Sequence, residues 1–204
     1  MNIFSSLNKF SGTHQAKIQP TTRELIDRAF DPKNNKVDIL FINPPDSISE
    51  RYGKKDMGEV GGDLIPLGMA SLAAYIREKG YGVGVLDCPT LRIDNEKVYE
   101  IILEKDPDII GFSTTTYSLS RATELAKKIR EKLPNKLTVI GGSHANVAGT
   151  ETANDYDVFD IIAYGLDGEY IAHDIVKNFS EKFSTMSCAI YSPSSPYAII
   201  SNAS

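Results

Sequence analysis

The feature that most constrains this chain is a regular alternation of short apolar runs with amphipathic segments. The runs are five or six residues long, rich in Val, Ile and Leu, and typical of buried strands. They are VDILFI (37–42), VGVLD (83–87), DIIGFS (108–113), LTVIGG (137–142) and FDIIAY (159–164). Apolar residues at helical spacing predict helices between and after them: 66–80, 94–105, 120–133, a short piece around 150–155, and 168–179.

This alternation predicts an α/β fold with a parallel sheet covered by helices on both faces. Five strand–helix units favour the flavodoxin-like doubly wound fold, a five-stranded sheet of order 2-1-3-4-5. In such sheets ligands bind beyond the carboxyl ends of the strands. We therefore expect the functional site in the loops after strands 1, 3, 4 and 5.

Three segments are predicted along the chain. Residues 1–35 are polar and form an N-terminal extension, in which 21–30 reads as a short helix or a cap on the sheet edge. Residues 36–180 form the domain. Residues 181–204 are rich in Ser and Pro, show no clear period, and are interpreted as a C-terminal tail.

Composition excludes several classes of protein. The formal net charge of -5 argues against a nucleic-acid partner, which usually requires a basic face. The two cysteines, Cys88 and Cys188, are too few and too far apart for a disulfide framework, so a reducing cytoplasm is expected. No apolar stretch approaches the roughly 18–20 residues of a membrane span, and the first residues make a poor signal peptide.

The loops at the predicted ligand edge are rich in Gly, Ser and Thr. Such loops offer backbone N–H groups and hydroxyls to a large polar ligand, and they lack the paired titratable groups of an acid–base site. Each has a simpler interpretation too: a tight strand exit at Gly141-Gly142, a backbone-bonding His144, a Thr-rich turn, or an N-cap. The candidate residues are Asn43, Pro44, Pro45, Ser113, Thr114, Thr115, Tyr117, Gly141, Gly142, His144, Gly165, Gly168 and Glu169.

The usual nucleotide signatures are absent from these loops. The sequence contains no G-x-x-x-x-G-K-[ST], and strand 1 is followed by Asn-Pro-Pro rather than G-x-G-x-x-G. A receiver domain would need an Asp after strand 3, where Ser113 stands. A flavin or nucleotide site remains open as an alternative, because Tyr52, Tyr117 and Tyr164 are available to stack on a ring.

Six motifs in order resemble the cobalamin-binding domain that precedes the catalytic barrel of cobalamin-dependent radical S-adenosylmethionine enzymes. They are INPP, a long loop, PLGMASLAAYIREKGYGVGVLD, PDIIGFSTTT, LPNKLTVIGGSHA and YGLDGE, within about residues 37–179. The resemblance implies that a corrinoid lies across the carboxyl ends of the strands, with its nucleotide tail running down beside the sheet. It implies no catalytic residue in this chain and a cobalt ion held by the corrin.

The resemblance also implies roles for the candidate residues. Asn43, Pro44 and Pro45 would line the floor near the cobalt. The residues after strands 3, 4 and 5 would contact the corrin or its tail: Ser113, Thr114, Thr115, Tyr117, Gly141, Gly142, His144, Gly165, Gly168 and Glu169. The D-x-H-x-x-G motif that supplies a cobalt-binding His in methionine synthase is absent. The resemblance therefore implies base-off binding without a protein imidazole on cobalt.

Two departures from the family pattern limit this expectation. The last loop reads G-L-D-G-E instead of G-E-G-E, and no C-x-x-x-C-x-x-C motif for an iron–sulfur cluster is present. We therefore expect a corrinoid-binding module without an iron–sulfur cluster or catalysis of its own. Three forms of such a module are open: a truncated gene product, a separate subunit that serves a radical S-adenosylmethionine barrel in trans, and a free corrinoid carrier. A non-binding remnant or scaffold is the alternative.

Overall fold

A computed structural model of the chain describes residues 20–30, 36–46, 65–148, 157–182, 189–192 and 195–199. Its centre is a sheet of order β2-β1-β3-β4-β5-β6-β7. The strands are β1 (Ile39–Asn43), β2 (Val83–Asp87), β3 (Ile109–Ser113), β4 (Leu137–Gly141), β5 (Ile161–Ala163), β6 (Ala189–Ser192) and β7 (Ser195–Ile199). The first five strands pair in parallel, so the predicted order 2-1-3-4-5 is confirmed.

The sheet continues beyond the five predicted strands. β6 pairs in parallel with β5, and β7 returns antiparallel to β6. The tail assigned to 181–204 is therefore corrected for these two stretches. Each is short, and Ser and Pro residues lie between and within them, so no strand period stands out. Pro196 is compatible with β7, because that strand is at the end of the sheet and a missing N–H does not break an inner ladder.

The helices follow the apolar periodicity of the sequence. They are α1 (Thr22–Arg28), α2 (Leu67–Glu78), α3 (Cys88–Leu91), α4 (Asn95–Lys105), α5 (Leu119–Lys132) and α6 (Gly168–Lys182). The four long predicted helices are confirmed, whereas the short α3 was not predicted. The helical piece predicted around 150–155 lies outside the described residues. Residues 143–148, directly after β4, are helical instead.

Each inner strand is apolar on both faces because helices cover both sides of the sheet. Alternate residues of β1 point to opposite cores: Leu40 and Ile42 belong to one cluster, and Ile39 and Phe41 to the other. Ile39 and Phe41 face α2 and α6, which pack beside each other. The opposite face carries α1, α4 and α5.

The helix α1 covers the edge strand β2. Thr21 and Glu24 form a capping box at its start, and Phe30 makes an antiparallel bridge to Gly84. A Cβ at Gly84 would lie 2.4 Å from the Phe30 ring, so glycine is required for this close approach. The short helix predicted within residues 21–30 is present as Thr22–Arg28, and Phe30 beyond its end pairs with the edge strand. Among the described helices, none has the length and apolar character needed to cross a bilayer.

Candidate functional site

A cavity of about 330 Å³ opens at the carboxyl edge of the sheet. Its walls are α2 on one side, α6 on the other, and the face of β1, β3, β4 and β5 that carries Ile39 and Phe41. This is the edge at which the doubly wound topology places a ligand. The size is that of a small-molecule site.

The depth of the cavity comes from a glycine in the middle of β3. Gly111 is in register with Phe41 on one side and Val139 on the other. A Cβ added there would lie 3.2 Å from Phe41 Cδ1. Any larger side chain would fill the space under the mouth. The sequence analysis did not select Gly111, although a glycine inside a buried strand is a known signal of close approach by a ligand or another backbone.

Several predicted contact residues line this cavity. They come from four separate loops or helix starts, which the parallel topology brings to one edge. They are Ser113, Gly141, Gly142, Gly165, Gly168 and Glu169. Many other lining residues were not predicted, among them Gly68, Leu72, Asn146 and Ala163, and two of these four are again small. A Cβ at Gly168 would lie 3.3 Å from Leu72 Cδ2, so small residues also set the approach of α6 to α2.

Gly142 lines the cavity but has a structural reason of its own. Its φ is +93°, a left-handed conformation that side chains strain. A Cβ there would lie 2.6 Å from the backbone nitrogen of Thr114. The expectation that Gly142 is glycine to admit a ligand is therefore incomplete, because the backbone crossing of two loops already requires it.

Thr114 joins the loops after β3 and β4. Its N–H and its Oγ1 both donate to the Gly141 carbonyl, at 2.8 and 2.9 Å, and its own carbonyl accepts from His144 N–H at 3.0 Å. Thr114 is only 1% exposed. It stabilises the shape of the edge and does not line the cavity.

The other predicted residues of these two loops lie outside the cavity lining. The Thr115 N–H donates to Ser118 Oγ at 3.0 Å within the turn before α5. Tyr117 is 63% exposed. His144 Nδ1 lies 3.3 Å from Thr116 Oγ1. Roles for these side chains in holding a corrin remain predictions.

Asn43, Pro44 and Pro45 end β1 beside the cavity rather than within its lining. Asn43 Nδ2 donates to Asp87 Oδ1 at 2.8 Å, and Thr90 Oγ1 donates to Asp87 Oδ2 at 2.5 Å. Asp87 therefore fixes the orientation of the Asn43 amide. The sequence analysis missed this pairing because the two residues are distant in the chain and meet only when β1 and β2 pair.

Two polar contacts brace the mouth of the cavity. Ser71 Oγ on α2 donates to Glu169 Oε1 on α6 at 2.6 Å. This hydrogen bond is the main reason why the pKa of Glu169 is lowered from its ordinary value. The Gly165 N–H donates to Asn146 Oδ1 at 2.8 Å. Both contacts hold loops and helices together around the opening.

Large apolar side chains are exposed on the segments that follow the strands at this edge. Leu166 is 97% exposed and Val147 is 90% exposed; Ile65 and Leu67, at the start of α2, are 75% and 74% exposed. A molecule bound at this edge would bury these side chains.

The described residues contain no group of His, Cys, Asp and Glu side chains placed to hold a metal ion. Cys88 is fully buried in the core opposite the cavity, and burial raises the pKa of its thiol. The lining of the cavity combines apolar side chains and glycines with a few polar groups.

Comparison with known proteins agrees with this geometry. The sequence profile of the family described as "B12 binding domain" matches residues 53–171. The anaerobic magnesium-protoporphyrin IX monomethyl ester cyclase of Cereibacter sphaeroides is 31% identical over 129 residues, which covers 60% of this chain and 21% of that protein. An uncharacterized methyltransferase of Pyrococcus horikoshii is 29% identical over 143 residues, covering 70% of this chain and 29% of that protein.

The chain therefore spans less than a third of the length of these curated relatives. A solved structure of a cobalamin-binding protein from Desulfitobacterium hafniense superposes with a TM-score of 0.47 at 17% identity, over 71% of this chain and 58% of that one. The family profile covers more than half of the sequence and reaches from the segment before α2 into α6. With a doubly wound sheet and a cavity at its carboxyl edge, this chain belongs to the B12-binding domain family.

Proposed function

We propose that this chain binds cobalamin base-off, with the corrin across the carboxyl edge of the sheet and the nucleotide tail in the cavity between α2 and α6. The observation that carries the proposal is the cavity itself, which has a volume of about 330 Å³ and lies between α2, α6 and the sheet. Glycines form its walls where side chains would close it, at Gly111, Gly141 and Gly168.

The residues present fit the tail of a corrinoid. A nucleotide tail has a flat aromatic base that needs an apolar slot, and Phe41, Val139 and Ile175 supply one. The sugar and phosphate of the tail need polar groups nearer the mouth. Ser113 and the backbone of Gly141, Gly142 and Gly165 lie there.

The bound cobalt would supply organometallic chemistry, such as carrying a methyl group. The protein's own residues would bind and orient the corrinoid. We infer that catalysis comes from a radical S-adenosylmethionine barrel, in a partner or in a longer form of this protein. The exposed apolar Leu166 and Val147, at the edge where the corrin would lie, support this inference.

The test is a spectral titration of the full chain with hydroxocobalamin, followed by desalting. We expect the corrin absorption to be retained. Ala172 lines the cavity from α6 and is 7% exposed. Ala172→Phe should place a ring in the space of the tail and weaken binding by about tenfold or more, which is 1.4 kcal/mol.

Two controls test whether the phenyl ring of Ala172→Phe blocks the space of the nucleotide tail. Lys177→Phe adds the same side chain at an exposed position of the same helix and should bind like the wild type. Cobinamide, a corrinoid without the nucleotide, should bind the wild type and Ala172→Phe equally. A folded wild-type chain that retains no corrinoid would overturn the proposed function. Equal cobalamin binding by Ala172→Phe would overturn the placement of the tail.

A further inference from the structure

The polar side chains of the cavity are confined to its mouth. Ser113 is the last residue of β3, and Glu169 is in the first turn of α6. Glu169 is already bonded to Ser71, and Asn146 to the Gly165 N–H. Tyr164 packs with its ring against the core on the other face of the sheet. Among the described lining residues, the polar side chains thus lie at the mouth of the cavity, and Glu169 and Asn146 already have hydrogen-bond partners there.

The floor of the cavity is made of hydrocarbon. Two register positions below Ser113 and Gly141 the strands present Phe41 and Val139, and four positions below they present Ile39. α6 adds Ile171 and Ile175 from above. Apart from the Met69 sulfur, a weak acceptor, these side chains offer no hydrogen-bonding partner.

The backbone of the floor is also occupied. Gly111 pairs with Phe41 of β1 and with Val139 of β4, so the central strand has a ladder on each side. Its N–H and C=O groups are used within the sheet. A polar group that reaches this depth would therefore lose its water and gain no partner among the described residues.

We propose that this floor makes the chain selective for corrinoids whose lower base is a benzimidazole over those whose lower base is a purine. The inference rests on the proposed function. Both bases carry an imidazole-type nitrogen, so the free-energy cost of burying that nitrogen is the same for the two ligands. Adenine adds two further ring nitrogens and an amino group that need partners, whereas dimethylbenzimidazole adds two methyl groups that the apolar floor accommodates. The selectivity arises from the absence of partners, not from a contact made only to benzimidazole.

The experiment compares three corrinoids on the full chain by equilibrium spectral titration: cobalamin, the cobamide with adenine as lower base, and cobinamide. One unpaired buried polar group typically costs a factor of about ten in affinity, or 1.4 kcal/mol. We therefore expect the adenine cobamide to bind at least about tenfold more weakly than cobalamin. Equal affinity, or tighter binding of the adenine cobamide, would overturn the selectivity and leave the proposed function standing. Failure of all three to bind would overturn both.

A matched pair of variants tests the cause. Val139 lies on the cavity floor, and Val158 lies in the core on the opposite face of the sheet; both are 7% exposed. Val139→Thr puts a hydroxyl in the floor and should lower the preference for cobalamin several-fold. Val158→Thr introduces the same polar group elsewhere and should leave the ratio of the two affinities unchanged. An unchanged ratio in Val139→Thr would contradict the apolar floor as the source of the selectivity.

Discussion

The second residue of α2 is Gly68, and glycine makes a helix less stable than alanine would at the same position. Gly68 is exposed, helical, and lines the cavity mouth. Among the residues that the structure describes, none has an atom within 4 Å of a Cβ added to Gly68. Glycine in a helix destabilises by roughly 0.5–1 kcal/mol relative to alanine. Because no clash opposes the gain, Gly68→Ala should raise the free energy of unfolding by about 0.5–1 kcal/mol. For a chain of this size that corresponds to about 1–4 °C in Tm.

The assay is urea unfolding followed by far-UV circular dichroism, with the slope m unchanged between variants. Ala70→Gly, at an exposed position of the same helix, is the reverse control and should lose a similar free energy. Hydroxocobalamin binding by Gly68→Ala should fall, because the new methyl group occupies space at the mouth. Loss of stability in Gly68→Ala would refute the open-space argument. Stabilisation with unchanged corrinoid affinity would show that the ligand does not need this glycine.

Three further changes test the local structure of the site and fold. Thr114→Val should cost about 1–2 kcal/mol in urea unfolding, because it removes the buried hydroxyl bond to the Gly141 carbonyl, whereas Thr114→Ser should retain most of it. Asp94→Ala should cost about 1 kcal/mol by loss of the N-cap of α4, and Asp94→Asn much less; equal losses would contradict a capping role. Ser71→Ala should raise the pKa of Glu169 toward its ordinary value in an NMR titration of the carboxyl group. Because folding lowers the pKa of Glu169, its ionised carboxylate stabilises the folded state above the unfolded pKa, and this stabilisation is lost as pH falls through the folded pKa. Ser71→Ala should therefore lose less stability than the wild type over this pH range.

The strands, the long helices and the order of the sheet were predictable from the sequence. Backbone geometry fixes how often side chains return to the same face of a strand or a helix. The apolar run at 108–113 and the helical spacing of apolar residues in 120–133 therefore predict a strand and a helix without knowledge of the rest of the fold. The ligand edge followed from topology alone, since parallel strands end at one edge. The extension of the sheet by β6 and β7 was not predictable, because these segments of four and five residues are too short to show a period. Their place in the sheet depends on the pairing of β6 with β5 and of β7 with β6.

The sequence by itself determined the fold class, the edge that binds a ligand and the family resemblance, because these depend on patterns along the chain. Only the tertiary structure decided which residues share the cavity. Gly111 and Ala163 line the cavity only because the strands and helices around them pack together. Gly142 must be a glycine because the backbone of Thr114 passes close to it. Contacts between residues far apart in the chain leave no local period, so the volume and chemistry of a cavity appear only when the elements have packed.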